Sequence, residues 1–202
     1  MDEGQVVYSK RREREHVVKD LVAKGSYSVI IVVVALIALR PLMVKQLLNR
    51  ADAYSAFGLY EESKRQCDKA LLLDSDNSQV WYNLARIYKT QEHLDLALGA
   101  YMRATETDPG NIPAQFELGM IYVQDGRHQQ AIPHFDQVRR HSSNKTRRPA
   151  KGNFPYHKSS LDMLLECYEE VGDAAKAEFT REEMRVFYPH HAPSQRDTAK
   201  SN

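Results

Sequence analysis

The sequence predicts an all-α fold: a solenoid of about four helix-turn-helix repeats preceded by one transmembrane helix. Three observations support this prediction. Aromatic, leucine and alanine residues recur at a fixed interval along residues 45–189. Glycine-containing turn signals fall in the middle of most of these units, where one helix gives way to the next. An apolar run precedes the first unit and is long enough to cross a bilayer.

The interval between equivalent residues is about 34, the length of a two-helix unit that must stack on its neighbours to bury its apolar face. One step forward from Leu84 lands on Leu118. Tyrosine holds one position in all four copies, and small residues hold another where the second helix approaches the first. The fourth copy matches only after an insertion that follows the third. The tyrosines are Tyr54, Tyr88, Tyr122 and Tyr168. The small residues are Ser63, Ala97, Ala131 and Ala177.

Residues 81–111 carry the repeat most completely. The residues at its diagnostic positions are Trp81, Leu84, Ala85, Tyr88, Ala97, Tyr101, Ala104 and Pro109. In type and spacing they resemble a tetratricopeptide repeat (TPR), with Ala85 in place of the usual glycine. The resemblance implies a right-handed superhelix. It also implies that the first helices of the repeats, the A helices, line a concave groove that accepts a peptide or a helix of a partner.

The repeat pattern divides the chain into segments. We expect repeats one to three over residues 45–145, a basic inserted loop over residues 146–157 and repeat four over residues 158–189. The remaining tail, residues 190–202, is polar and predicted to be disordered.

Turns inside the repeats are expected at Gly58, Asp125-Gly126 and Gly172-Asp173. Pro133 falls several residues into the second helix of the third repeat, where it removes a backbone donor. We therefore expect a local kink or a late start of that helix.

The apolar run over residues 27–44 is the predicted transmembrane helix. Its 18 residues span about 27 Å as a helix, against a hydrocarbon thickness of about 30 Å. A buried repeat helix would show polar positions, and none occurs over residues 29–39. A cleaved signal peptide does not fit the long charged segment, residues 1–26, or the Arg40-Pro41 that interrupts the run. A buried strand fits the valines but not the helical remainder, so we favour an uncleaved single-span anchor in contact with membrane lipid.

Basic residues near the span predict its orientation. The amino-terminal side carries Lys10, Arg11, Arg12, Arg14, Lys19 and Lys24, and a similar length on the other side carries Arg40, Lys45 and Arg50. Because positive charge is retained in the cytoplasm, this asymmetry places the amino terminus there. We expect a single-pass protein of a bacterial inner membrane, with the repeats in the periplasm.

A basic segment follows the third repeat, with no Asp or Glu between residues 137 and 161. Its Ser, Gly, Pro and basic residues predict a loop and not a helix. It is either a solvated connector or a site for acidic lipid, an acidic partner or nucleic acid. Nucleic acid is the weakest of these because no aromatic stacking platform is interleaved with the charges. The basic residues are Arg139, Arg140, Lys145, Arg147, Arg148 and Lys151.

Composition and motifs argue against catalysis. The 202 residues include 28 Lys and Arg against 27 Asp and Glu, so the whole chain has no strong attraction to nucleic acid. Hydrolase, nucleotide-binding and zinc-protease motifs are missing from the sequence. We expect no enzyme, no cofactor and no metal site. Cys67 and Cys167 are expected to be small buried residues, with a disulfide or a catalytic thiol as the alternatives.

The TPR resemblance assigns a presumed inner face to the A helices. Its residues are Leu48, Asn49, Asp52, Tyr82, Asn83, Arg86, Phe116, Glu117 and Met120. An exposed aromatic beside an arginine is typical of a binding hot spot; the alternative is that these side chains pack on each other or on the next A helix. Asn83 also matches one place in the clamp with which some TPR domains hold a terminal carboxylate. Its expected basic partners are replaced by Leu48, Pro113 and Glu117, so that type of receptor is not predicted.

Three functions remain open at the level of sequence. The favoured one is a membrane-anchored scaffold or adaptor that binds protein or peptide partners through the groove and supports assembly of a membrane or envelope complex. The second is a tether that binds acidic lipid, nucleic acid or an acidic partner through residues 139–151. The third is a structural subunit whose span packs inside a larger membrane complex.

Overall fold

The computed structural model describes residues 3–142 and 154–188. These residues form eight α-helices and no strand, which confirms the predicted all-α class. The helices are α1 (Glu3–Ala56), α2 (Tyr60–Leu73), α3 (Ser78–Thr90), α4 (Leu94–Thr107), α5 (Ile112–Gln124), α6 (His128–Ser142), α7 (Phe154–Val171) and α8 (Ala174–Phe187). The chain divides into two compact units, Met1–Gln46 and Leu47–Asn202. The predicted disordered tail, residues 190–202, lies outside the described residues.

Helix α1 makes up the first unit and continues into the second. Its segment Val29–Ala56 is long and apolar enough to cross a membrane. Mean hydropathy reaches 2.1 over its most apolar window, and only 6% of that window is buried. Isolated in water, a helix with so many exposed apolar side chains would be unstable. Length and composition are equally those of a signal sequence, so the anchor is taken up below as a proposal.

The second unit is a stack of helix pairs. Consecutive helices from α2 to α8 pack on one another, and α5 also packs on α7. The end of α1 packs on α2 through Ser63, whose hydroxyl donates to the carbonyl of Ala51 at 2.7 Å and lies 2.9 Å from the Ser55 hydroxyl. The last turns of α1 pair with α2 as the first repeat, and α3, α5 and α7 pair in turn with α4, α6 and α8, which is the predicted order of four repeats.

The core of the stack lies where the repeated small and aromatic residues meet. The small residues at the close approach are buried, with Ala97 and Ala131 fully inaccessible. Tyr101 and Phe135 occupy equivalent positions in α4 and α6 and are also fully buried. Gly119 gives Phe135 its space, because a Cβ at that glycine would lie 2.8 Å from the ring. A small residue therefore faces a large one at this interface, as dense packing requires.

The turn inside each repeat has one construction four times. In every case the carbonyl of the repeated tyrosine accepts a backbone hydrogen bond from the residue five positions later, at 2.8–2.9 Å. This is the Schellman arrangement, which needs a left-handed residue just after the helix. Gly58, Gly126 and Gly172 supply it with φ of 74°, 70° and 79°. The predicted turn positions are confirmed.

Glu92 takes the glycine's place in the second repeat, with φ of 62°. A non-glycine residue in the left-handed region is strained by about 1–2 kcal/mol, while glycine loses about 0.5–1 kcal/mol of chain entropy on folding. We expect Glu92→Gly to raise the free energy of unfolding by about 0.5–1 kcal/mol, measured by urea denaturation. Glu92→Ala, which keeps a Cβ, is the control and should give no comparable gain; equal stabilisation by both variants would contradict the strain.

The third repeat departs from one expectation. α6 begins at His128 and runs through Pro133 to Ser142. Of the two expected outcomes at Pro133, the late start is therefore wrong, and the local kink stays a prediction. Proline lacks the donor that would reach the carbonyl four residues earlier, but Pro133 is exposed and that side of the helix can be solvated.

Candidate partner-binding groove

The predicted inner-face residues all lie on A helices of the second unit. Leu48, Asn49 and Asp52 lie on the last turns of α1; Tyr82, Asn83 and Arg86 on α3; Phe116, Glu117 and Met120 on α5. Asn49, Asp52 and Arg86 are exposed, Asn83 is buried and the rest are partly buried.

A polar bridge joins the first two A helices. The amide nitrogen of Asn83 donates to Oδ1 of Asp52 at 3.0 Å, and the guanidinium of Arg86 lies 3.9 Å from the same oxygen. Asn83 is only 4% exposed, and its own oxygen accepts from Gln79 at 3.3 Å. Asn83 therefore fixes the Asp52 carboxylate in place, while Asp52 and Arg86 remain open to solvent and available to a partner.

A cavity of about 310 Å³ opens beside this bridge. Asp52, Asn83 and Arg86 contribute its polar wall, and Ile87 contributes to the rest. This volume is at the low end of the range of ligand pockets, and it suits one inserted side chain of a partner better than a cofactor.

Tyr82 forms the aromatic part of the inner face on α3. Its ring lies 6.0 Å from that of Tyr101, tilted by 53°, and the guanidinium of Arg86 lies 5.7 Å from its centroid. Burial, followed by the nearby Tyr156, raises the pKa of Tyr82 to about 12. The phenol is therefore neutral near pH 7 and can donate a hydrogen bond.

Phe116 shows the alternative packing described above. Its ring meets Phe135 and Tyr156 at 5.6 Å each, in edge-to-face geometry. Tyr156 belongs to α7, so Phe116 packs partly against the next A helix. This ring stabilises the stack of repeats three and four, and only its remaining exposed part can contact a partner.

Two further groups complete this face. Lys89 of α3 contacts Glu117 of α5, with Nζ 2.6 Å from Oε2. Burial and then Glu117 raise the pKa of Tyr101, whose buried hydroxyl has no hydrogen-bond partner among the described residues. The inner face thus carries two cation–carboxylate pairs, Asp52 with Arg86 and Glu117 with Lys89, around a group of tyrosines.

Sequence reasoning missed Tyr156 because residues 146–157 were assigned to a loop. α7 begins at Phe154, ahead of the predicted start of repeat four at residue 158. A signal was present: His157, Leu161, Leu164 and Tyr168 follow one another at helical spacing. All four are buried.

The basic residues at the end of the third repeat are placed differently from expectation. Arg139 and Arg140 lie in the last turn of α6, so the prediction that the loop starts there was wrong. Arg139 is held between helices, with its guanidinium 2.9 Å from Asp136 of α6 and 2.8 Å from Glu183 of α8. Lys145, Arg147, Arg148 and Lys151 lie outside the described residues, so the tether hypothesis stays a prediction.

The two cysteines are free and fully buried. Burial raises the pKa of the Cys67 thiol to about 12 and that of Cys167 to about 11. Both are therefore protonated near pH 7 and lack the thiolate that a nucleophile requires. Within residues 3–142 and 154–188, no three His, Cys, Asp or Glu side chains are grouped to hold a metal ion.

The chain matches models of a known sequence family. Sequence models described as tetratricopeptide repeat match residues 47–77, 67–99 and 88–145. No curated protein sequence matches the chain.

Several solved structures share the fold at low sequence identity. The protein MamA is 20% identical, with a TM-score of 0.53 over 72% of this chain and 76% of that one. The type III secretion translocator chaperone SycD of Yersinia enterocolitica is 18% identical, with a TM-score of 0.54 over 64% of this chain and 86% of that one. YrrB, described as a TPR protein with an unusual peptide-binding site, is 22% identical, with a TM-score of 0.53 over 73% and 70%.

Proposed function

The chain belongs to the tetratricopeptide repeat family, and from that premise we propose that it is a membrane-anchored scaffold. It binds protein or peptide partners through the inner face of α1, α3 and α5, and it supports assembly of a membrane or envelope protein complex. Catalysis has no part in this role.

The observation that carries the proposal is the pair Asp52 and Arg86 on the wall of the 310 Å³ cavity, with the Tyr82 ring centroid 5.7 Å from the Arg86 guanidinium. Arg86 keeps 53% of its side chain exposed although it lies over an aromatic ring and near a carboxylate. Arg and Tyr are the residue types enriched at interface hot spots, and they contribute most where a pocket excludes water. Buried Asn83 preorganises the carboxylate, which lowers the entropy lost on binding.

Two fold relatives bind peptides by their own descriptions. SycD has been solved in complex with a peptide of the translocator YopD, and YrrB is described as having a peptide-binding site. These descriptions apply to those proteins; for this chain they make a peptide or a protein segment the first partner class to test.

Membrane attachment is the second half of the proposal. The exposed apolar side chains of α1 support a span over residues 27–44 in contact with lipid. The basic residues before the span support a cytoplasmic amino terminus and a periplasmic repeat domain in a bacterial inner membrane.

Removing the hot spot should abolish partner capture. We expect Tyr82→Ala combined with Arg86→Ala to reduce co-purified partners at least tenfold after crosslinking in cells and extraction in mild detergent. Each truncation removes a contact with the partner and leaves the buried Asn83 and Tyr101 in place. This pair is preferred to one containing Phe116→Ala, because Phe116 also supports the stack.

The matched control is Lys69→Ala combined with Leu72→Ala, which removes one basic and one apolar side chain from the exposed side of α2. Its partner list should equal that of the wild type. An unchanged list for the Tyr82 and Arg86 variant, with circular dichroism showing an intact fold, would count against the groove.

A further inference from the structure

The last helix presents a pair of exposed apolar residues on its outer side. No earlier repeat has an apolar pair at the same two positions, although Leu72, the equivalent of Val186 in the first repeat, is exposed. Phe179 and Val186 of α8 are 58% and 65% exposed and lie on the side opposite the buried Ala177 and Met184. With Phe187 they line a shallow cavity of about 250 Å³. The positions equivalent to Phe179 in repeats one to three hold Arg65, Gly99 and Pro133.

This face is not the unfinished end of the stack. Where Tyr101 and Phe135 fill the interior of repeats two and three, the fourth repeat has Arg181. Arg181 pairs with Glu169 of α7 and, at 3.0 Å, with Glu178. Charged groups therefore close the solenoid in the way that terminal repeats require, and the apolar residues on the outer side of α8 need another explanation.

Charged residues lie on both sides of the apolar pair Phe179 and Val186. On each side, the sign of the charge changes from the start of α8 to its end. Along one flank Lys176 comes first and Glu183 follows seven residues later; along the other flank Glu178 comes first and Arg185 follows. When two copies of α8 lie antiparallel, Glu178 of each faces Arg185 of the other, and Lys176 faces Glu183. A parallel pair instead brings Glu178 next to the like-charged Glu183 of the second copy.

We propose that the outer face of α8 docks antiparallel on α8 of a second copy of this chain. The contact is isologous, since the same patch serves both chains, and Phe179 and Val186 form its apolar centre. All four charges already have a partner in their own chain: Glu178 and Arg185 contact each other at 3.4 Å, Lys176 contacts Asp173, and Glu183 contacts Arg139. The Glu178–Arg185 exchange contributes more than the Lys176–Glu183 exchange, because it replaces an exposed pair, whereas Glu183 is only 13% exposed. One helix pair is a small interface, so the association is reversible.

Symmetry gives a direct test by disulfide crosslinking. A two-fold axis that pairs residue 178 with residue 185 passes close to Glu182, which therefore lies next to its own copy. This like-charge contact opposes the dimer of the natural chain, and Arg185, 3.0 Å from Glu182 in the same helix, offsets part of it. In membranes containing the full chain, we expect Glu182→Cys to form a disulfide-linked dimer under mild oxidation. The control, Asp68→Cys, occupies the equivalent exposed position of the first repeat and should crosslink at least tenfold less. The two native thiols are buried and do not compete.

A charge exchange tests the antiparallel arrangement. In the Glu182→Cys background, Glu178→Arg should reduce the dimer yield severalfold because it faces Arg185 of the second copy, and adding Arg185→Glu should restore it. Phe179→Glu should abolish the dimer without unfolding the exposed site. Equal crosslinking of the two cysteine variants, failure of the second charge change to restore the yield, or a product whose mass contains a different protein would each overturn the proposal.

Discussion

Phe135→Ala is expected to lower the free energy of unfolding of the repeat domain by about 4 kcal/mol. Phe135 is fully buried, and its ring packs edge-to-face on Phe116 at 5.6 Å. Truncating such a ring removes its transfer free energy and leaves a cavity, together about 3–5 kcal/mol. Gly119 cannot fill the space, since it has no side chain and its helix is held by the neighbouring repeats.

The measurement is urea denaturation followed by circular dichroism. Phe179→Ala provides the control: it deletes the same ring from an exposed site, 58% accessible, on the last helix. It should change stability by no more than about 0.5 kcal/mol. If both substitutions have the same small effect, the interior of the third repeat is not packed as described.

The second large effect is expected at the ion pair that joins α6 to α8. Arg139 and Glu183 are 24% and 13% exposed, with their charged atoms 2.8 Å apart. Glu183→Gln leaves the guanidinium of Arg139 in a mostly buried site with Asp136 as its remaining carboxylate. Breaking a buried pair from one side typically destabilises by about 3–5 kcal/mol, and we expect about 3 kcal/mol here because Asp136 compensates in part.

A second variant separates charge burial from simple loss of a contact. Arg139→Met combined with Glu183→Leu removes both charges of the pair and should recover part of the lost stability, since Asp136 then keeps its charge without Arg139. The exposed pair Arg103–Glu106, with side chains 67% and 57% accessible, serves as the control, because surface pairs contribute only about 0–1 kcal/mol. A Glu183→Gln effect as small as that of Glu106→Gln would show that the α6–α8 pair does not stabilise the stack.

The repeat stack was predictable because its signal is periodic. Tyr54, Tyr88 and Tyr122 recur at a fixed interval, and Tyr168 follows after the insertion, because each turn needs the same backbone construction. The structure shows that construction four times. Glu92 was not predictable as a strained residue, since the repeats on both sides impose its conformation and no local pattern marks it.

The insertion after the third repeat limited how much of the fourth repeat could be predicted from the sequence. Once the interval changes, Tyr156 has no equivalent residue at a known position, and its contact with Phe116 depends on how far α7 extends toward the insertion. Arg139 was misplaced for a related reason. Its neighbours resemble a loop in composition, and its contact with Glu183, forty-four residues later, could not be predicted from the local sequence.

The TPR resemblance predicted which residues hold inner-face positions but not which of them are exposed. Position alone selected Asp52, Tyr82 and Arg86. The structure places Asp52 and Arg86 on the wall of one cavity and the guanidinium of Arg86 over the Tyr82 ring. Burial could not be predicted in the same way, because Asn83 on α3 and Phe116 on α5 also hold inner-face positions but contact neighbouring repeats.

Site-specific photo-crosslinking from Arg86 tests the central claim most directly. A photoreactive phenylalanine analogue at this position projects into the inner face, and the same analogue at Lys69, on the exposed side of α2, is the control. After irradiation of cells, the account predicts one or a few partner proteins crosslinked from position 86 and absent from position 69. Identical crosslinking patterns from the two positions would show that partners do not bind in the groove.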